Sequence, residues 1–207
     1  MKKQILCGTL LSLLTAAGAQ TPYIQNFASG GSVGPIPNSS PIGVAFSGTV
    51  SDIPAGQTIS GLTVDLDLSG GFNGYLYAYL DAPGGTQVAL MNEPGWSPGD
   101  PLNDSGPGMA ITLEDTGAVN GSIQNATGSA VLTGSYNAAG LLAGFNGLAP
   151  DGTWTLFFAD EVSGGGTSTL NDWSLDISTV PEPGITGLAM MGGLMIGGVW
   201  RARRGKA

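Results

Sequence analysis

Carboxylates are the only charged side chains in the central part of this chain. Fourteen aspartates and glutamates lie between Gln20 and Ser178, a stretch with no lysine, arginine or histidine. A Ser-His-Asp triad needs an imidazole to accept the serine proton, so that chemistry is excluded. The one catalytic arrangement left is a pair of carboxylates acting as the acid and the nucleophile of a glycosidase. Its candidates are Glu93, Glu114, Asp115, Asp160 and Glu161. Acidic residues mostly solvate the surface, so we predict that the chain is not an enzyme.

Calcium is the cofactor that this composition favours. Carboxylate and carbonyl oxygens bind Ca²⁺, and no cationic side chain competes for them here. The candidate ligands are Asp104 and Asp115 in the long middle segment, and Asp160 and Asp172 on either side of the glycine-rich loop 164–166. None of them lies in an EF-hand loop. The alternative for Asp160 and Asp172 is that each caps a turn through the neighbouring backbone.

Aromatic rings suggest another type of site, a stacking surface for sugars. Tyr75, Tyr77 and Tyr79 alternate along one predicted strand and so share a face, although packing in the core is the commoner fate of such residues. Trp96 lies in a proline-rich loop, which favours an exposed ring. We therefore predict Trp96 as the residue that contacts a glycan.

The distribution of charge excludes two classes of partner. All six cationic residues lie near the ends of the chain, which leaves the stretch from Gln20 to Ser178 with a formal charge of −14. Nucleic acids and anionic lipids both require cationic side chains on the protein, so neither is an expected partner of this stretch. Repulsion among its carboxylates must be relieved by solvent, salt or bound cations.

The first residues have the features of a cleavable export signal. Two lysines precede an apolar run, 5–17, that is short for a membrane span. Small residues at Ala17 and Ala19 suit signal peptidase, which would leave Gln20 as the first residue of the exported chain. A retained N-terminal anchor is the alternative. Cys7 lies within the apolar run, so the exported chain would contain no disulfide.

The last 28 residues contain a second set of signals. Val180, Pro181, Glu182 and Pro183 precede an uncharged apolar stretch, 184–200, which as a helix would be about 26 Å long, enough for a thin bilayer. A basic cluster follows, formed by Arg201, Arg203, Arg204 and Lys206. Because positive charge favours the cytoplasmic side, the acidic stretch is expected outside. The two ends of the chain therefore predict the same topology.

This order of Pro-Glu-Pro, apolar helix and basic cluster resembles the PEP-CTERM sorting signal of bacterial envelope proteins. The resemblance implies recognition by an exosortase, a membrane protease-transpeptidase that cuts near the motif and directs the protein to the cell surface or the exopolysaccharide matrix. Pro181 and Pro183 also restrict the backbone to extended conformations, which predicts a stalk between the domain and the membrane. A permanent C-terminal anchor with a proline-rich hinge is the alternative.

Alternating apolar and polar residues predict short, half-buried strands in the middle of the chain. The alternating sets are Ile42, Val44 and Phe46; Leu62, Val64, Leu66 and Leu68; Met109, Ile111 and Leu113; Trp154, Leu156 and Phe158; and Trp173, Leu175 and Ile177. A hairpin is expected between residues 75–80 and 87–91. Clusters of glycine, proline, asparagine and aspartate separate the strands, so we predict an all-β fold, an antiparallel jelly-roll β-sandwich.

Two longer blocks contain the most specific motifs. The first reads ISGLTVDLDLSGGFNGYLYAYLDAPGGTQVALM from Ile59, and the second reads FNGLAPDGTWTLFFADEVSGGGTSTLNDWSLDI from Phe145. Together they resemble the P domain, or Homo B domain, that follows the catalytic domain of kexin- and furin-type proteases. The resemblance implies an eight- or nine-stranded jelly roll of the kind that stabilises a subtilisin-like domain. These 207 residues include no such catalytic domain.

These features predict an exported, non-catalytic protein of the cell surface or exopolysaccharide matrix, with a P-domain-like sandwich for structural or adhesive contact. Its expected partners are signal peptidase and exosortase during processing, and exopolysaccharide or envelope proteins afterwards. One alternative is a carbohydrate-binding module or weak glycosidase, and another is an accessory domain that supports a subtilisin-like protease in trans. The predicted segments are a signal peptide (1–19), a lead segment (20–41), the sandwich (42–178), the sorting motif (179–183), a transmembrane helix (184–200) and a cytoplasmic basic tail (201–207).

Overall fold

The computed structural model describes residues 21–27, 33–99 and 103–182. Several predicted features lie outside these ranges: the signal peptide with its cleavage residues, Pro183 of the sorting motif, the transmembrane helix and the basic cluster. No helix among the described residues is long and apolar enough to cross a membrane.

The described residues fold into strands joined by turns and short 3-10 helices. The strands are β1 (Thr21–Asn26), β2 (Gly34–Pro35), β3 (Ser40–Val50), β4 (Gln57–Ser69), β5 (Leu76–Asp81), β6 (Gln87–Asn92), β7 (Gly108–Glu114), β8 (Leu132–Asn137), β9 (Gly152–Asp160) and β10 (Thr169–Pro181). The 3-10 helices are Asn73–Tyr75, Ile123–Asn125 and Leu142–Phe145. The all-β class predicted from the alternating sequence is confirmed.

The strands form two sheets that enclose one apolar core. The larger sheet has the order β1-β10-β4-β7-β8, with β2 also paired to β10, and the smaller has the order β3-β9-β5-β6. Neighbouring strands are antiparallel except β7 and β8, which run parallel. Buried apolar residues from both sheets belong to a single cluster, so the architecture is a β-sandwich.

The alternation of β4 shows how the sequence builds this core. Leu62, Val64, Leu66 and Leu68 are buried, whereas the residues between them face outward. The two tryptophans of the core, on β9 and β10, are fully buried. Burial of aliphatic and aromatic surface of this kind is the dominant stabilising term in a fold without disulfides. The hairpin predicted around Ala82 is also present, formed by β5 and β6.

The prediction that Ile42 shares the buried face of its strand with Val44 and Phe46 is wrong. Ile42 is 85% exposed, because the register of β3 against β9 is irregular between Ser40 and Val44. An irregularity of this kind inserts extra residues and breaks the simple alternation of faces. Gly43 lies in it with a φ of 64°, a conformation that favours glycine.

The sandwich is longer in sequence than the predicted range 42–178. The lead segment contributes β1 and β2, both of which pair with β10. At the other end, β10 continues through Pro181 beside β4, and the backbone N–H of Glu182 donates to the carbonyl of Gly56 over 2.8 Å. The segment predicted to be a sorting motif is extended, but through Pro181 it belongs to β10 and pairs with β4, so these residues do not form the predicted free stalk.

Candidate functional site

Buried polar side chains meet where the 3-10 helix Asn73–Tyr75 contacts the loop that precedes β7. Asn73 and Asp104 are fully buried and Asn103 is 8% exposed. The backbone N–H of Gly74 donates to the carbonyl of Asp104 over 2.7 Å. We call Asn73, Asn103 and Asp104 the loop cluster.

Glycines allow three backbone segments to approach the loop cluster closely. A Cβ atom on Gly74 would lie 2.4 Å from the backbone nitrogen of Asp104, and one on Gly95 would lie 2.3 Å from the carbonyl oxygen of Ala126. A Cβ on Gly106 would lie 2.8 Å from Oδ1 of Asp104. Any larger residue at these positions would push the segments apart, so the sequence is specialised for dense packing here.

Hydrogen bonds fix one side of the Asp104 carboxylate. Its Oδ1 accepts from Nδ2 of Asn73 over 3.1 Å and from the backbone N–H of Gly106 over 2.8 Å. Asn73 also donates to the carbonyl of Gly108 over 2.9 Å and accepts from the N–H of Gly108 over 3.1 Å. The amide of Asn73 therefore joins Asp104 to the start of β7.

Two oxygens of the loop cluster have no hydrogen-bond partner. They are Oδ2 of Asp104 and Oδ1 of Asn103, and both are buried. Asn103 itself is held by a 2.9 Å bond from its Nδ2 to the carbonyl of Gly74 and has a φ of 51°, which is uncommon outside glycine. Buried acceptors are normally satisfied, so these two oxygens are exceptions among the described residues.

Burial raises the pKa of the Asp104 carboxyl above its ordinary value. The hydrogen bonds from Gly106 and Asn73 oppose this rise because they stabilise the ionised form. Burial and the negative charge of Asp104 also raise the pKa of Tyr136 on β8. Burial therefore outweighs the hydrogen bonds and favours the protonated form of Asp104 more than in an exposed aspartate.

The four aspartates predicted as calcium ligands lie in different places. Among the described residues, no group of three or more histidine, cysteine or acidic side chains could hold a metal ion. Asp115 caps a 3-10 helix: its Oδ1 accepts from the N–H of Leu142 over 2.6 Å, and its Oδ2 from that of Ala143 over 2.7 Å. With both oxygens engaged, Asp115 has a structural role.

Asp160 caps a turn, which is the alternative given for it above. Its Oδ1 accepts from the N–H of Val162 over 3.3 Å, and its fully buried position raises the pKa of the carboxyl. Its Oδ2 is buried without a partner. Asp172 lies on β10 directly opposite Asp67, on the outer face of the larger sheet. Asp160 therefore caps a turn, whereas Asp172 faces another carboxylate.

The outer face of the larger sheet is acidic. Asp65 on β4 accepts hydrogen bonds from Thr112 on β7 and Ser174 on β10. Burial, and secondarily the charge of Asp65, raise the pKa of Asp176. Like charges on adjacent strands repel, so this face favours cations and disfavours anionic partners.

The predicted tyrosine row is not a single exposed face. Tyr75 is buried within a 3-10 helix, and only Tyr77 and Tyr79 point outward from β5. The ring of Tyr79 stacks on Phe157 at a centroid distance of 4.6 Å and an interplanar angle of 14°. Stacking covers one face of each ring, so only the opposite faces and the edges of this pair could contact a sugar.

Trp96 is 60% exposed, so the exposure predicted for it is confirmed. Its loop adjoins the loop cluster: the N–H of Asp104 donates to the carbonyl of Pro94 over 3.0 Å. Asn73 and Asn103 were not predicted from the sequence as site residues. The available signals were the Asn-Gly step after Asn73 and the Asn-Asp-Ser-Gly run from Asn103, both typical of turns in which an amide bonds the backbone.

No family model matches this sequence, and no curated protein matches it either. Solved structures of a serine protease from Aeromonas sobria are similar in fold. For the crystal structure of this protease in complex with its chaperone, the TM-score is 0.50 and the identity is 17% over 77% of this chain. For the crystal structure of the protease itself, the corresponding values are 0.49, 17% and 78%. The chain spans 27% of the length of the matched chain in each case. At this identity the similarity concerns the fold alone.

Proposed function

We propose that this chain is an exported, non-catalytic protein of the cell surface or exopolysaccharide matrix. Signal peptidase removes residues 1–19, and an exosortase recognises the motif of Val180, Pro181, Glu182 and Pro183. The transmembrane helix 184–200 and the basic tail hold the chain in the membrane until that step. The remaining P-domain-like jelly roll makes structural or adhesive contacts.

The position of the two chain ends is the main support for this proposal. Thr21, the second residue after the proposed signal cleavage, pairs directly with Thr179, the first residue of the predicted motif segment 179–183. The start of β1 and the end of β10 therefore lie side by side at one end of the larger sheet. This arrangement suits a protein whose two ends are processed at one membrane.

The chemistry of the described residues supports a non-catalytic role. The chain has no histidine, and the described residues include no lysine or arginine. Among the carboxylates considered for a glycosidase, Asp115 has both oxygens engaged and Asp160 is fully buried. A glycosidase needs two carboxyl groups facing one cleft, so these two residues do not supply such a pair.

The sorting step is tested by changing Glu182 to Ala and following the protein in surface, membrane and cytosolic fractions. Glu182 is exposed and lies at the end of β10, so the fold should be retained. We expect the wild-type chain in the surface or matrix fraction and the variant in the membrane fraction, uncut. Ser178→Ala, a nearby change outside the motif, is the control and should behave as wild type. Equal surface delivery of Glu182→Ala would argue against exosortase sorting.

A carbohydrate-binding module is the second candidate, because Trp96 is a large aromatic residue that is 60% exposed. An exposed indole ring offers a flat apolar surface on which a sugar ring can stack. Glycan-array binding by the full chain should then be lost in Trp96→Ala. It should persist in Val119→Ala, which removes another exposed apolar side chain, 86% exposed. Loss in both variants, or in neither, would count against a Trp96 platform.

An accessory domain for a subtilisin-like protease is a third candidate. Its support is the similarity in fold to a piece of the Aeromonas sobria serine protease, whose structure was also solved with a chaperone. If this chain supports a protease in trans, a subtilisin-like protein should co-purify with it from the surface fraction. Purification without such a protein would remove this candidate and leave the main proposal in place.

A further inference from the structure

The strand β1 has a strand partner on one side only. It is the outermost strand of the larger sheet, and among the described residues it pairs with β10 alone. The backbone N–H of Phe27 donates to the carbonyl of Trp173 over 2.9 Å, in the same register as the rest of β1. Hydrogen-bonded pairs alternate along antiparallel strands, so the N–H and C=O groups of Ile24 and Asn26 point away from β10. We call this side of the strand the β1 edge.

The other three outer strands of the sandwich are covered or interrupted. Beside β8, the backbone N–H of Asn120 donates to the carbonyl of Ser135 over 3.0 Å. Beside β6, the N–H of Gly140 donates to the carbonyl of Ala89 over 2.8 Å. The pairing of β3 is irregular near its start, around Gly43. Sheets protect their outer strands in such ways, because open backbone groups attract another strand. In the described part of the chain, β1 has neither a covering loop nor an interruption.

Charge makes the β1 edge the place where two copies of this chain can meet. The described residues contain no cationic side chain, and the outer face of the larger sheet is acidic, so two copies repel each other face to face. β1 reads TPYIQN and has no charged side chain. If two copies pair through β1, their β10 strands lie three strand spacings apart, about 14 Å, beyond the screening length of about 8 Å at physiological salt. Carboxylates such as Asp176, opposite Ile24, therefore oppose this contact little.

We propose that β1 pairs antiparallel with β1 of a second copy of this chain, so that the two larger sheets join into one. The register that fits the β1 edge places Ile24 opposite Asn26 of the second copy, with a two-fold axis at Gln25. This register uses the outward N–H groups of both Ile24 and Asn26 in each copy. It leaves out Pro22, which has no N–H to donate.

The inner side of this contact extends the apolar core. Tyr23 is half-buried and packs against the core, and the proposed register places it opposite Phe27 of the second copy. The ring of Phe27 is held against Trp173 at a centroid distance of 4.4 Å. A pair of short strands buries less surface than a permanent interface, so we expect a weak dimer that forms most fully where copies are concentrated. The inference rests on β1 and does not need the proposed sorting.

A disulfide trap in the purified full-length chain, kept in mild detergent, tests the register. Every variant contains Cys7→Ser, because Cys7 is the only native cysteine. Gln25→Cys places the thiols of two copies directly opposite each other, with Cα atoms about 4.5 Å apart, a separation that a disulfide spans. Asn26→Cys, an exposed position of the same strand, leaves the Cα atoms about 7–8 Å apart. Under mild oxidation we therefore expect about tenfold more covalent dimer with Gln25→Cys than with Asn26→Cys. Val119→Cys, at a residue that is 86% exposed, gives the background from random collision.

A proline at position 24 tests the backbone pairing itself. The N–H of Ile24 points away from β10, so Ile24→Pro removes a donor of the β1 edge without breaking a bond inside the sheet. Ile24→Thr removes the same apolar side chain but keeps the N–H, so it is the matched control. In sedimentation equilibrium we expect Ile24→Pro to raise the dissociation constant of the dimer at least about tenfold relative to Ile24→Thr. Thermal unfolding checks that both variants keep the fold.

Each outcome bears on the proposal. Covalent dimer of Gln25→Cys no more abundant than that of Val119→Cys would overturn it, and this is also the result expected if β1 pairs with a different protein. More dimer with Asn26→Cys than with Gln25→Cys would contradict the register. Equal dissociation constants for Ile24→Pro and Ile24→Thr would show that the chain associates elsewhere. If Ile24→Pro does not fold, the disulfide comparison decides alone.

Discussion

At the scale of single residues, buried amides and carboxylates organise the loops of this protein. The side chain of Asn73 makes three hydrogen bonds, one to Asp104 and two to Gly108, although asparagine is seldom fully buried. The sequence showed Asp104 as an acidic residue of interest, because residue type alone suggests a metal ligand. It did not show Asn73 as its partner, because the two are 31 positions apart and only the folded sheet brings them together.

The role of Asn73 leads to a first prediction. Asn73→Ala removes three hydrogen bonds and leaves the backbone groups of Gly108 without this partner, so the free energy of unfolding should fall by about 2–4 kcal/mol. Urea unfolding measures this. Asn171→Ala, which removes contacts of an exposed asparagine with Ser69 and Asp67, should cost less than about 1 kcal/mol. Equal losses would mean that the buried amide does not organise the loops.

A second prediction concerns pH. Burial raises the pKa of Asp160 above the ordinary value of 3.8, and hydrogen bonds from the N–H groups of Val162 and Ser39 offset this only in part. Between pH 3.8 and the raised pKa, the Asp160 carboxyl therefore stays protonated in the folded state while it is ionised in the unfolded state. The contribution of Asp160 to stability is fully present below pH 3.8 and is lost as the pH rises through the raised value.

Asp160→Asn should therefore flatten the dependence of unfolding free energy on pH. Urea midpoints measured from pH 4 upward should fall for the wild type and fall less for the variant. Asp151→Asn, an exposed change, should follow the wild-type curve. A steeper fall in Asp160→Asn than in the wild type would contradict the raised pKa.

At the scale of elements, the sequence predicted the strands that alternate cleanly and missed those that do not. The buried leucines of β4 are separated by polar residues, so that strand was evident. β1 was missed because Ile24 is 63% exposed and the strand is held mainly by its pairing with β10. The parallel pairing of β7 with β8 was also missed, since residue alternation has no information on strand direction.

The irregular part of β3 gives the third prediction. A Cβ at Gly43 would lie 2.3 Å from the carbonyl oxygen of Phe158 and 2.4 Å from the ring of Phe157. Gly43→Ala should therefore lower the thermal midpoint through both the left-handed backbone and the clash, at a cost of about 2–4 kcal/mol. Gly56→Ala has a similar φ of 76° with nothing within 4 Å, so it isolates the backbone effect, about 1 kcal/mol. Similar losses in both variants would show that β3 can move away from β9.

At the scale of the whole molecule, the proposed function is supported by the distribution of charge along the chain and by the positions of the first and last strands, more than by any single site. The acidic middle and the basic ends could be read from the sequence, because charge needs no knowledge of the fold. The positions of the first and last strands could not be read from the sequence, because they depend on the pairing of Thr21 with Thr179 between β1 and β10. The fold adds that the start of β1 and the end of β10, the described residues nearest the two proposed processing sites, lie side by side.

The fourth prediction is the most direct test of the central claim, and it is the intact mass of the protein recovered from the cell surface or matrix. Processing at both ends should give a chain that begins at Gln20 and ends close to the Pro181-Glu182-Pro183 motif. A mass that includes Met1 and Ala207, measured on protein from that same fraction, would contradict export and sorting together.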